Sequence, residues 1–139
     1  TTQRSRSQPG LPSSGTRTAL QYCLYDSYTA SPTVTPHAFV ATPGYATAYH
    51  PLVTGQLTAT KTRILGSDTW QTTTLYYDDL GRVIQTVGDN RLGGLSRTDM
   101  QYDFTGNLTH QRESHGKPGG SADVLESVNT YDAQGRLLT

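Results

Sequence analysis

The sequence predicts an all-β fold, antiparallel β-hairpin repeats behind an irregular N-terminal arm, and three observations carry that prediction. Apolar and β-branched residues alternate in short runs from Gly55 onward, glycines punctuate those runs, and a Tyr-Asp-x-x-Gly pattern recurs along the second half of the chain. Composition agrees. The apolar set, Tyr included, makes up only 33% of 139 residues, while the chain holds 14 Gly and 9 Tyr. A large aliphatic core is therefore excluded, and strand and turn chemistry takes its place.

Residues 1–18 are Thr, Ser, Arg, Gln, Gly and Pro with one Leu and follow neither the strand nor the helix period, so they read as a linker or arm. Residues 19–54 are rich in Tyr (Tyr22, Tyr25, Tyr28, Tyr45, Tyr49) and are interrupted by Pro32, Pro36 and Pro43. Proline forbids a long helix and limits central strands, which leaves short strands and turns. In residues 57–65 threonines alternate with other residues, which places Leu57, Ala59 and Leu65 on one face of a strand and the threonines on the other. Further strands are expected over 70–77, 82–87, 98–102, 108–112 and 124–131, separated by Gly81, Gly93-Gly94, Gly106, the 117–120 stretch and Gly135. A turn or two of helix over 122–128 is the one helical reading.

Three segments share one pattern: Tyr77-Asp78-x-x-Gly81-Arg82-Val83, Tyr102-Asp103-x-x-Gly106-Asn107-Leu108 and Tyr131-Asp132-x-x-Gly135-Arg136-Leu137. Their spacing of about 25 to 29 residues suits two strands and two turns, so each copy is one hairpin with its link to the next. Tyr ends a strand with a large ring, Asp accepts hydrogen bonds from turn amides, and Gly supplies the positive φ that closes the loop. A decayed copy is in phase at Thr54-Gly55-Gln56-Leu57, with no Tyr-Asp at the matching distance before it. Residues 55–139 thus form the repeat array, incomplete at its C-terminal end.

These copies resemble the YD (tyrosine-aspartate) repeats of the Rhs family, large bacterial surface or secreted proteins. The resemblance covers about half of the chain, and the Tyr-rich opening together with residues 55–65 is similar to what precedes the first repeats in some large bacterial members. It implies hairpins that spiral into a hollow β-shell, which encloses a toxin or other effector in some relatives, while other relatives act in cell-surface contact. It further implies that this chain is a fragment whose partners are further YD repeats of the same polypeptide, an encapsulated effector domain or a cell-surface glycan, and that it is secreted or surface-exposed. The family's self-cleaving signature contains Asp-Pro, which does not occur in this chain.

Chemistry-bearing residues are weighed against that background. Lys+Arg and Asp+Glu number 11 each, so no net field favours nucleic acid as a partner, and no window has the apolar length of a membrane span. One cysteine, Cys23, can form neither an internal disulfide nor a Cys-based zinc site. His110 and His115 are five residues apart, which puts them on opposite faces of a strand, so no metal site is assigned. Asp78, Asp103 and Asp132 recur at a repeat-locked position and read as turn acceptors; no cofactor and no catalytic residue is assigned. The expected function is structural and non-catalytic. The competing expectation is a carbohydrate- or cell-surface-binding module that stacks ligands on exposed aromatics, with Trp70 and Tyr76 as candidates.

Overall fold

The computed structural model describes residues 18–138, so the expected arm over 1–18 lies, Thr18 apart, outside the described residues. Among the described residues seven strands form one antiparallel sheet: β1 (Gln21–Asp26), β2 (Val53–Arg63), β3 (Trp70–Tyr77), β4 (Val83–Asp89), β5 (Leu95–Tyr102), β6 (Leu108–His115) and β7 (Asp123–Val128). Spatial order equals chain order, because most links are short and a short link can only return the chain antiparallel to its neighbour. The chain then turns once more and closes an isolated bridge between Tyr131 and Leu137. Among the described residues there is no helix.

Two local expectations are corrected. Residues 122–128 are not helical: β7 pairs with β6 over six positions, from His110 opposite Val128 to His115 opposite Asp123, and that ladder supplies the backbone partners a helix would otherwise provide. In β2 the simple alternation fails at a bulge. Leu24 lies opposite Ala59 and Tyr25 opposite Leu57, which leaves Thr58 as the extra residue. Thr58 is fully buried, and its hydroxyl donates to the carbonyls of Leu24 (3.0 Å) and Ser27 (2.6 Å). Leu65, expected on the same strand face as Ala59, instead lies exposed in the turn between β2 and β3.

A long link, residues 27–52, joins β1 to β2 and crosses a face of the sheet. Pro32, Pro36, Pro43 and Pro51 deny it a helix or a ladder of its own, so it attaches mainly through side chains, with a backbone bond from His50 N to the Tyr77 carbonyl (2.8 Å). Tyr76 is the centre of that attachment. Its ring lies 4.7 Å from Tyr28 (stacked), 4.6 Å from Tyr49 and 5.2 Å from Phe39 (edge-on), and its hydroxyl donates to the His37 carbonyl. Ile84 and Val87 complete this cluster. The core is thus aromatic and small, each ring pair adding about 0.5–1.5 kcal/mol beyond area burial. The expectation that Tyr76 stacks an external ligand is overturned: it is 3% exposed, and rings contributed by the link occupy its faces.

Candidate functional site

The repeat residues build three copies of one turn. Asp78 N donates to the Arg82 carbonyl (2.9 Å) and Gly81 N to the Asp78 carbonyl (3.1 Å), and the same pair of bonds recurs from Asp103 to Asn107 and from Asp132 to Arg136. This is a tight turn whose third loop residue is left-handed: Gly81, Gly106 and Gly135 have φ of 76°, 94° and 76°. The Asp carboxylate holds the loop from within. Asp78 Oδ1 accepts from the amides of Leu80 (2.9 Å) and Arg82 (2.8 Å), Asp103 Oδ1 from Thr105 and Asn107 (2.9 Å each), and Asp132 Oδ1 from Gln134 (2.9 Å) and Arg136 (2.8 Å).

Charge balance separates the three turns. Asp78 Oδ2 pairs with Arg82 Nε at 2.7 Å, and Asp132 Oδ2 with Arg136 Nε at 2.7 Å. Asp103 has neutral donors only, namely the Thr105 hydroxyl, the Asn107 side-chain amide and the two backbone amides. Burial pushes the Asp78 carboxyl up, but the Arg82 and Leu80 bonds outweigh it and hold it below the usual carboxylate value. The Thr105 hydroxyl and the Asn107 amide bring Asp103 down to about 2, and the Arg136 amide leads the lowering at Asp132.

The repeat tyrosines tie each copy to the one before it. Tyr102 Oη donates to the Val83 carbonyl (2.7 Å) and Tyr131 Oη to the Leu108 carbonyl (2.8 Å). Burial raises the Tyr102 hydroxyl above its ordinary value, which keeps the proton that this bond requires. Tyr77 Oη donates in the same way to Leu57 O (2.6 Å), which identifies Leu57 as the aliphatic residue of a preceding copy. That copy does have its Tyr-Asp. Tyr25 lies opposite Leu57 as Tyr77 lies opposite Val83, and Asp26 Oδ1 accepts from Gly55 N at 2.5 Å. Residues 27–54 stand where the other copies have two residues. The sequence holds the Tyr25-Asp26 dipeptide in plain view; a fixed distance to Gly55 is the wrong criterion, because hairpin turns tolerate long insertions at modest entropic cost.

The inserted link brings together a polar row that no motif announces. Gln85 exchanges two bonds with the Val40 backbone, as a strand would (Val40 N to Oε1 3.0 Å, Nε2 to Val40 O 2.7 Å), and its amide also donates to Asp99 Oδ1. Asp99 Oδ2 accepts from the Thr42 hydroxyl (2.9 Å) and Arg97 Nε (3.2 Å), with Arg112 Nη1 at 3.8 Å. Gln85 and Asp99 are both fully buried, and apart from the Arg97–Asp99 pair within β5 their bonds fasten the link or a neighbouring strand. His37 does likewise, with Nε2 3.1 Å from the Thr72 carbonyl and 3.3 Å from Asp89 Oδ1.

Trp70 lies apart from these groups. Its ring is 5.4 Å from Tyr22, with Lys61 Nζ 5.6 Å above it, a half-buried aromatic pair at the far end of β3 from the repeat turn. His110 lies opposite Val128 and His115 Nδ1 lies 2.9 Å from Ser96 Oγ. Among the described residues no group of three or more His, Cys, Asp or Glu could hold a metal ion, and no helix is long and apolar enough to cross a membrane. No family model, curated protein or solved structure matches the chain.

Proposed function

We propose that this chain is a non-catalytic structural segment of a secreted or surface-exposed YD-repeat protein of the Rhs kind. In this reading it contributes hairpins to a β-shell around an effector domain, or to a cell-surface stalk. The observation that carries the reading is the tyrosine ladder: Tyr77, Tyr102 and Tyr131 each reach back to the carbonyl of the aliphatic residue in the copy before, at Leu57, Val83 and Leu108. A bond from copy to copy is a device for extending an array, in which each unit buries itself against its neighbours. The repeat carboxylates, engaged by their own turns, are poor candidates for acid–base chemistry.

Duplicating residues 103–131 in tandem keeps the Tyr-Asp phase and tests the reading. The longer chain is expected to unfold at higher urea concentration, with the added copy protected from hydrogen exchange. An added copy that exchanges freely and leaves the midpoint unmoved would refute the extensible-array reading. A second reading, a glycan-binding module, is favoured by the Tyr22–Trp70 pair alone. Oligosaccharide binding that is lost in Trp70→Ala would support it.

A further inference from the structure

The residue after the repeat glycine reaches toward the next turn in the first two intervals of the array. Gln56 lies so close to Gly81 that a Cβ built there would stand 2.8 Å from its Nε2. Arg82 does more: its guanidinium lies 4.9 Å from the centre of the Tyr102 ring, and Nη1 donates to the Asp103 carbonyl at 3.2 Å. In the third interval the equivalent residue is Asn107. Its short side chain turns back to Asp103 Oδ2 (3.1 Å) and Thr105 Oγ1 (2.8 Å).

What Asn107 does not fill is an open cleft of about 790 Å³ between the second and third turns, with Asp103, Phe104, Asn129, Tyr131 and Asp132 among its lining residues. We propose that this cleft takes up an arginine side chain presented by a partner polypeptide. The guanidinium would occupy the slot that Arg82 fills one interval earlier, against the Tyr131 ring and the Asp132 carbonyl. Three features favour that occupant. Tyr131 and Asp132 are the counterparts of Tyr102 and Asp103, which already hold a guanidinium in this chain. Asp103 carries a carboxylate answered only by neutral donors, so the cleft has a negative charge left to balance. Phe104, 98% exposed at the lip, offers an apolar surface for the aliphatic stem of the incoming side chain. A planar guanidinium that both stacks and donates suits this slot better than an ammonium does.

Titration of the chain with Nα-acetyl-arginine methylamide, followed by amide chemical shifts, tests the proposal. Shifts are expected to cluster at Asn129, Tyr131 and Asp132, with the lysine analogue binding about fivefold more weakly or worse. Asn107→Arg should abolish the arginine response and raise the thermal midpoint, because the slot is then filled from within; the turns at Gly81 and Gly135 already carry Arg at this position, so the substitution suits the turn. Asn107→Ser, which leaves the slot open, should retain the response. Equal shifts from arginine and lysine, no shift at the cleft, a response to maltotriose but none to arginine, or undiminished arginine binding by Asn107→Arg would each overturn the proposal.

Discussion

Strands β3 and β4 and strands β6 and β7 belong to one meander, yet they have opposite fates. Tyr76, Ile84, Gln85 and Val87 on the first pair are buried, whereas all six residues of β7 are exposed and β6 is at most half-buried. The difference lies in what covers them. The 27–52 link places Tyr28, Phe39 and Tyr49 over β3 and β4. β7 has a ladder with β6 and is exposed along its whole length. The repeat pattern therefore sets hairpins and register, and the insertion in the first hairpin sets burial.

The largest effect follows at the centre of the covered region. Tyr76→Ala removes the ring around which the link is packed and should cost about 3–5 kcal/mol, the range for deleting a large buried aromatic side chain. Leu125→Ala in β7, 63% exposed in the native chain, should stay within about 0.5 kcal/mol. Urea denaturation of the two variants measures both. Similar losses would mean that the bare strands carry as much of the cooperative unit as the covered ones.

Legibility in the sequence follows the same division. The 70–77 run matches β3, and the neighbouring runs match parts of β4, β5 and β6, because alternation and turn glycines are local signals. β4 and β6 run beyond the expected ends at Val87 and Arg112, since ladder pairing holds residues such as Asp89 and Ser114 that have little strand preference alone. The burial of Tyr76 was not legible. Its period marks a strand, but which face is covered depends on a link more than twenty residues away in sequence, and proline-rich chain carries no periodic sign of where it will lie. Gln85 and Asp99 escaped for a related reason: a buried polar residue reads as a surface one until its partners, Val40 and Thr42, are brought over it. The open slot beside Asn107 was legible in principle, as a departure from the Arg of the copies at Gly81 and Gly135, although its meaning needed the Arg82–Tyr102 contact to be seen first.

A smaller effect separates turn geometry from covering altogether. Gly106 has φ 94° and open space where a Cβ would go, so Gly106→Ala meets backbone strain and no clash. The expected cost is about 1–2 kcal/mol. Gly120 is the control: its φ is not left-handed, and the nearest atom to a built Cβ is Lys117 Cβ at 3.8 Å. Gly120→Ala should be neutral or slightly stabilising through the unfolded chain. Equal effects in thermal melts would show that the glycine recurs in the repeats for reasons other than its conformation.

The smallest effect concerns acid, and it tells the second turn from its two sisters. Asp103 lies at about 2 in the folded chain against an ordinary value of 3.8. As pH falls through that interval the unfolded chain takes up the proton first, so the contribution of this carboxylate is complete above the ordinary value and is lost as pH approaches the folded one. Asp78 and Asp132 are lowered as well, but their carboxylates face Arg82 and Arg136, so added salt screens part of their contribution. Asp103 has no such partner, and its share should resist salt. Asp103→Asn keeps an oxygen for the Thr105 and Asn107 amides and removes the titration. Urea midpoints of this variant and the parent chain, measured from about pH 5 to about pH 2.5 with and without about 0.5 M salt, should converge in acid. The gap between them at higher pH should hardly respond to salt. A gap that closes when salt is added would instead mean that a cation such as Arg82, whose Nη1 lies 3.2 Å from the Asp103 carbonyl, compensates the Asp103 carboxylate, which would also remove the uncompensated charge on which the arginine cleft depends.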